Sequence, residues 1–351
     1  MSANINTYIG RQAAWHALGT VTGKYQTWAE ILAHGGLDFM VFKSQLQDGL
    51  GRPVDAWGTF RLGKEDAKAG AKEKAVFLGA VGEDYKVINH ASGFELVDAL
   101  MATADGGHYE TAGTLGKGEV VWGLADLGLA ARIGDDVQKG YLLFCTSHDG
   151  SYSYLHRLSL TRVVCQNTLN QALSEKGKAS FRVRHTKNAM DRIASAHQAL
   201  EGLAGDIKSV EGKLQFLAGR KVTRESLTTI FDRLFPKRET EDGKPVESTR
   251  RDNTLAEVLS LYENNDNDAF PDQRGTAYNL LNSVIAYTDH YRVSQNNGRP
   301  ASALFGSGDR LKGQALLEIM KEADKMPPAR QPGFAVDFAE LGLKVPALAS
   351  V

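Results

Sequence analysis

The sequence predicts an α+β fold: an antiparallel β-hairpin sheet backed by helices, followed by a mostly α-helical domain. Three observations carry this reading. Short apolar runs broken by glycine fill the first half, where most of the 36 glycines fall. Hairpin-type turn signals separate four of those runs. From residue 186 onward the apolar residues recur at helical spacing instead.

In chain order, Phe39–Leu46, Ala56–Leu62 and Ala75–Val81 read as strands, with the charged stretch 64–74 linking the last two. Phe94, Val97, Asp98 and Met101 have helical spacing, so 94–102 is expected to be a helix. Strands are expected over Tyr109–Leu115, Glu119–Leu124, Tyr141–Thr146 and Tyr152–Leu160. Lys117-Gly118 and Asp149-Gly150 supply turns, because glycine accepts the positive φ that tight hairpins need. Arg162–Leu173 is expected as a helix with Val163, Leu169 and Leu173 on one side.

Beyond that point, Ala189, Ile193, Ala196, Leu200, Leu203, Ile207, Val210, Leu214 and Leu217 alternate steps of four and three, a heptad seam. Two readings stay open: a long helix packed on its own domain, or an antiparallel hairpin or subunit contact. Gly202, Gly205 and Gly212 weaken an isolated coiled coil. Further helices are expected over Thr223–Leu234, Thr249–Tyr262, Gln273–Tyr291 and Asp309–Lys325, with Pro236–Ser248 as a charged loop. The domains expected are 1–186, α+β and nucleic-acid-binding; 187–326, helical; and 327–351, a tail.

Hydrophobic residues at 42% and charged residues at 24% suit a folded globular protein. Two cysteines, Cys145 and Cys165, make no disulfide framework. The first residues show no signal-peptide pattern, and no apolar run reaches the ~20 residues of a membrane span. The expectation is a cytoplasmic protein with no membrane partner.

Charge carries the strongest local signal. Lys+Arg is 41 and Asp+Glu 42, a formal net charge of −1. Yet Arg157, Arg162, Lys176, Lys178, Arg182, Arg184, Lys187 and Arg192 cluster against only Glu175 and Asp191. Such a run can neutralise phosphates and release counterions, giving binding without sequence preference. A strand through 181–185 places Arg182 and Arg184 on one face. Tyr152, Tyr154 and His156 also alternate, and are expected to offer stacking surfaces to unpaired bases. Gln166 and Asn167, near the start of the expected helix, suit an anion or a helix cap.

No cofactor and no metal is expected. Cys145, His148, His156 and Cys165 match no standard zinc spacing. Gly113, Gly116 and Gly118 lie in a hairpin rather than between a strand and a helix, which excludes a phosphate-binding loop. Asp135, Asp136 and Asp149 would carry the rival reading, a metal-dependent nuclease, although Asp135-Asp136 also suits turn chemistry. A second rival is a protein-binding inhibitor of host defence, with a host protein as partner.

Several stretches resemble the phage/plasmid-like family of unknown function, found in bacteriophages, prophages and conjugative plasmids. They are Trp15-His16-Ala-Leu-Gly19, Val81-Gly82-Glu-Asp-Tyr85-Lys-Val-Ile-Asn89, Tyr109-Glu-Thr-Ala-Gly113, Gly118-Glu-Val-Val-Trp122, Ser147-His-Asp149-Gly150-Ser151, Arg162-Val-Val-Cys165-Gln-Asn167-Thr168-Leu169, Arg184-His185-Thr186 and Asn282-Ser-Val-Ile-Ala-Tyr287. The order of hairpin strands and helix is also similar, at fold level, to the single-strand annealing proteins of the RecT, Redβ, Erf and Rad types. That likeness implies a homo-oligomer holding single-stranded nucleic acid, DNA foremost, by its backbone without ATP.

Overall fold

A computed structural model of the chain describes residues 7–9, 20–21, 27–34, 36–63, 75–101, 107–162, 168–169, 180–194, 203–240, 242–243, 245–264, 270–292, 302–303 and 306–329. The architecture is α+β. The described residues fall into two compact units. The first draws on 1–130, 139–159 and 173–207, and the second on 131–138, 160–172 and 208–351.

The elements run β1 (Thr7–Ile9), β2 (Thr20–Val21), α1 (Trp28–His34), β3 (Phe39–Gln47), β4 (Pro53–Gly63), β5 (Val76–Val81) and α2 (Ala91–Met101). Then come β6 (His108–Leu115), β7 (Val120–Ile133), β8 (Asp136–Ser147), β9 (Tyr154–Arg162), β10 (Thr168–Leu169), β11 (Ser180–Val183) and α3 (Ala189–Ala194). The large sheet has the order β10-β9-β8-β7-β6-β1-β2, with β11 also pairing with β9, and β3-β4-β5 form a separate antiparallel meander.

In the first unit, α2 covers one face of the large sheet. Phe94 and Tyr154 pack edge-on against Phe144, and His156 stacks on it. The His156 Nε2–H donates to the Gly93 carbonyl at 3.1 Å. Gly93 is required there, since a Cβ would lie 2.1 Å from the Phe144 ring. The β8–β9 turn is anchored to the meander: the Thr59 hydroxyl donates to the His148 carbonyl. Gly150 takes φ 81° in this turn, as its place in the sequence predicts.

Two expectations are corrected. Residues 125–133 continue β7, and β7 and β8 meet at a tight turn over Gly134-Asp135, with Gly134 at φ 61°. The run is glycine- and alanine-rich, which reads as a loop, but Ala125, Leu127, Ala131 and Ile133 are buried. The helix expected over Arg162–Leu173 is also overturned where it is described. Arg162 ends β9, and Thr168 and Leu169 pair with Thr161 and Leu160 as a strand. The hydrogen bonds available along β9 outweigh the weak helical spacing of Val163, Leu169 and Leu173.

α4 (Leu203–Ala218) begins in the first unit and enters the second at Lys208; the second unit also contains α5 (Arg224–Leu234), α6 (Thr249–Asn264), α7 (Ala277–Ala286), a π turn (Tyr287–Tyr291) and α8 (Ser307–Ala323). Of the heptad seam, Ile207, Val210, Leu214 and Leu217 are buried on α4, while 195–202 lie outside the described residues. The α5 and α7 helices open on Thr223 and Thr276, whose hydroxyls accept from Ser226 N and Asn279 N. Gly275 at φ 71° stops the helix expected from Gln273 from starting before Thr276. Within the expected loop 236–248, β12 (Arg238–Glu239) pairs with β13 (Pro245–Val246). Every residue of α7 is buried, and both α6 and α8 pack on it. Among the described residues no helix is long and apolar enough to cross a membrane.

Candidate nucleic-acid interface

The basic residues of the first unit are sorted by the pairing of β11 with β9. The register sets Ser180 opposite Arg157, Phe181 opposite His156, Arg182 opposite Leu155 and Val183 opposite Tyr154. Directly opposed residues share a face. Tyr154 and His156 therefore face α2, and Arg157 and Arg182 face the other way.

This arrangement corrects part of the expected site. Tyr154 and His156 are both fully buried in the aromatic cluster beneath α2, so neither offers a stacking surface to a base. Arg157 is only 8% exposed, placed so that its charge and that of Arg182 act on the buried Cys145 thiol. Burial outweighs both cations and raises that thiol above its ordinary range. Arg157 thus belongs to the interior of the sheet's second face rather than to a phosphate contact.

Arg182, Arg184, Lys187 and Arg192 are exposed. Lys187 pairs with Asp84 at 3.3 Å, but both side chains are more than four-fifths exposed, so the pair contributes little and exchanges readily with another anion. Tyr152 is half-buried: its backbone N–H donates to the Ser147 hydroxyl, which donates back to the Tyr152 carbonyl. The Arg162 side chain, Gln166, Asn167, Lys176 and Lys178 lie outside the described residues.

The fold adds two residues that the sequence reading missed. The Lys86 backbone N–H donates to the His185 carbonyl, and the His185 Nδ1–H donates to the Lys86 carbonyl, each at 3.0 Å. Lys86, itself exposed, thereby joins Arg184 and Lys187. The ring of Tyr85, half-buried, lies parallel to that of His185, with centroids 4.7 Å apart. Its hydroxyl donates to the Ser147 carbonyl at 2.8 Å. Tyr85 through its hydroxyl and Tyr152 through its backbone thus both bond Ser147, and both tyrosines are partly exposed.

Two of the three nuclease carboxylates are otherwise engaged. Asp136 is fully buried and accepts from the Tyr278 hydroxyl at 2.7 Å. Asp149 accepts from the Ser151 N–H and hydroxyl, holding the β8–β9 turn. Asp135 lies at the exposed β7–β8 turn. The suggested zinc ligands also diverge. Alternation along β8 points Cys145 away from α2, whereas His156 packs beneath it.

In class, then, this is an α+β protein whose first unit presents a cationic strand edge flanked by tyrosines. Residues 77–307 match the family described as a domain of unknown function, DUF932, and the chain belongs to that family. All but one of the stretches behind the resemblance fall inside this span, Trp15–Gly19 being the exception. No curated protein and no solved structure matches the chain.

Proposed function

We propose that the protein binds single-stranded nucleic acid, DNA foremost, along the β11 edge of its first unit. One observation carries the reading: Arg182, Arg184 and Lys187 are solvated beside Lys86, with Tyr85 and Tyr152 partly exposed next to them. Cations that track a backbone, interleaved with rings that accept any base, suit a strand held without sequence readout. No nucleotide, ATP or metal enters this mechanism. Arg182, Arg184, Lys187 and Lys86 hold phosphates, and Tyr85 and Tyr152 stack on bases splayed from the strand.

The biological role proposed is strand annealing in recombination of phage or plasmid DNA. Assembly of several copies would align their edges, so that weak contacts per subunit add up. This extends the likeness to the annealing proteins and rests on fold-level analogy.

The test is fluorescence anisotropy of a labelled single-stranded oligonucleotide with the full chain and with the Arg182→Glu/Arg184→Glu variant. Both positions are exposed, so the exchange leaves the core untouched. The variant should bind at least about tenfold more weakly, each lost or reversed phosphate contact removing its share of counterion release. Equal affinity would sink the assignment of this edge.

A further inference from the structure

We propose that His108, Glu110 and Asp126 form a binding site for a divalent transition-metal ion on the face of the large sheet turned away from α2. The site follows from the pairing of β6 with β7. His108 stands directly opposite Asp126 in the register, and Glu110 follows two positions along β6 on the same face. The pairing shifts between Tyr109 and Thr111, a bulge of the kind that re-aims side chains next to functional sites. One ligand atom from each of the three residues lies within 4.8 Å of the other two. His108 Nε2 is 3.2 Å from Glu110 Oε2. The side chains of His108 and Glu110 are only 10% and 11% exposed, and that of Asp126 is 7% exposed.

An imidazole with two carboxylates is a donor set for Mn²⁺, Fe²⁺ or Zn²⁺, and three protein ligands leave positions for water. A second observation points the same way. The Thr111 hydroxyl is buried and, among the described residues, has no hydrogen-bond partner; the same holds of the Trp122 indole N–H farther along β7. Thr111 follows Glu110 at the bulge and opposes Leu124, which lies between Trp122 and Asp126 on that face. An unpaired buried polar group costs about 1–3 kcal/mol, and water on a bound ion would satisfy the Thr111 hydroxyl, which adjoins Glu110.

Lys139 is the competitor. Its ammonium lies 3.3 Å from Asp126 Oδ2, and the side chain is 44% exposed, so it can swing into solvent when an ion takes the carboxylate. This makes the proposal separable from a purely structural pair of salt bridges. A structural role predicts that removing Lys139 only destabilises the fold. A metal site predicts that removing it improves the site.

The experiment is calorimetric titration of the chelator-stripped full chain with Mn²⁺, repeated with Zn²⁺, alongside thermal unfolding of each variant. The expected result is one ion per chain for at least one of the two metals. For that metal, His108→Ala and Asp126→Asn should bind at least about tenfold more weakly, and Lys139→Met several-fold more tightly. Absence of saturable binding to the wild type by either metal overturns the proposal. So does binding that His108→Ala leaves unchanged in a folded variant. Should the ligand variants fail to fold, Lys139→Met decides: tighter binding upholds the site, and unchanged or weaker binding overturns it.

Discussion

Lys312→Met should lower the unfolding free energy of the second unit by about 3–5 kcal/mol, the usual cost of breaking a buried ion pair by removing one partner. The Lys312 ammonium donates to Asp289 Oδ1 at 2.8 Å, and the two side chains are 0% and 4% exposed. Asp289 sits in the π turn that follows α7, and Lys312 one turn into α8, so the pair ties the two helices where they are already in contact. The approach is close: a Cβ on Gly308 would lie 2.8 Å from the Thr288 methyl. Methionine roughly matches the volume of lysine but leaves the Asp289 carboxylate buried without its cation. Urea unfolding followed by far-UV circular dichroism measures the effect. The paired variant Lys312→Met/Asp289→Leu should recover much of the loss, because replacing both charges removes the stranded one. A single variant that costs under about 1 kcal/mol would refute the pair's role.

The first unit should lose stability as pH falls from about 6.5 towards 4, with about 3 kcal/mol from His90 alone. The carbonyl of Leu37 can only accept, so His90 Nε2 carries the proton and Nδ1 is bare. His148 Nε2, 3.3 Å from that Nδ1, must then be the donor, which leaves its own Nδ1 bare, buried and, among the described residues, without a partner. Burial depresses His90 to about 4, with the Leu37 carbonyl and Asp38 opposing. Burial likewise holds His148 well below the ordinary histidine range, and the neighbouring His90 and His185 push the same way. Burial lowers His185 too, against its bond to Lys86. A folded pKa below the unfolded value of about 6.5 means that the folded state binds fewer protons. The stability is therefore complete above 6.5 and drains as pH falls through the folded values. Urea midpoints at pH 7.5 and 4.5 should differ accordingly, and His90→Gln should flatten the dependence. Equal midpoints in the wild type would contradict a neutral, buried cluster.

Much of the sheet was legible because glycine and alternation mark it. The meander strands, β6 and the turns at Gly118 and Gly150 lie where their residues place them. The far half of β7 was not legible, since small residues that pack in a crowded sheet have the composition of a loop. β10 was missed because its strand state depends on partners in β9 rather than on its own spacing. The site was half legible. The cation run was plain, but alternation alone does not say which face is open. Both faces of β9 turn out to be buried, which removes Tyr154, His156 and Arg157 from the surface. Tyr85 and Lys86 reach the site through His185, 99 residues away from Lys86 in sequence, a distance that no local pattern bridges. The same holds for His108 and Asp126, which only strand register brings together.

The most direct test of the account is the salt dependence of single-stranded oligonucleotide binding by the wild-type chain, measured by anisotropy without added metal. Four phosphate contacts, from Lys86, Arg182, Arg184 and Lys187, predict that log K falls against log salt concentration with a slope of about −3. Arg182→Glu/Arg184→Glu should roughly halve that slope. No binding at low salt, or binding with a slope near zero, would contradict the claim that this edge holds a nucleic-acid backbone.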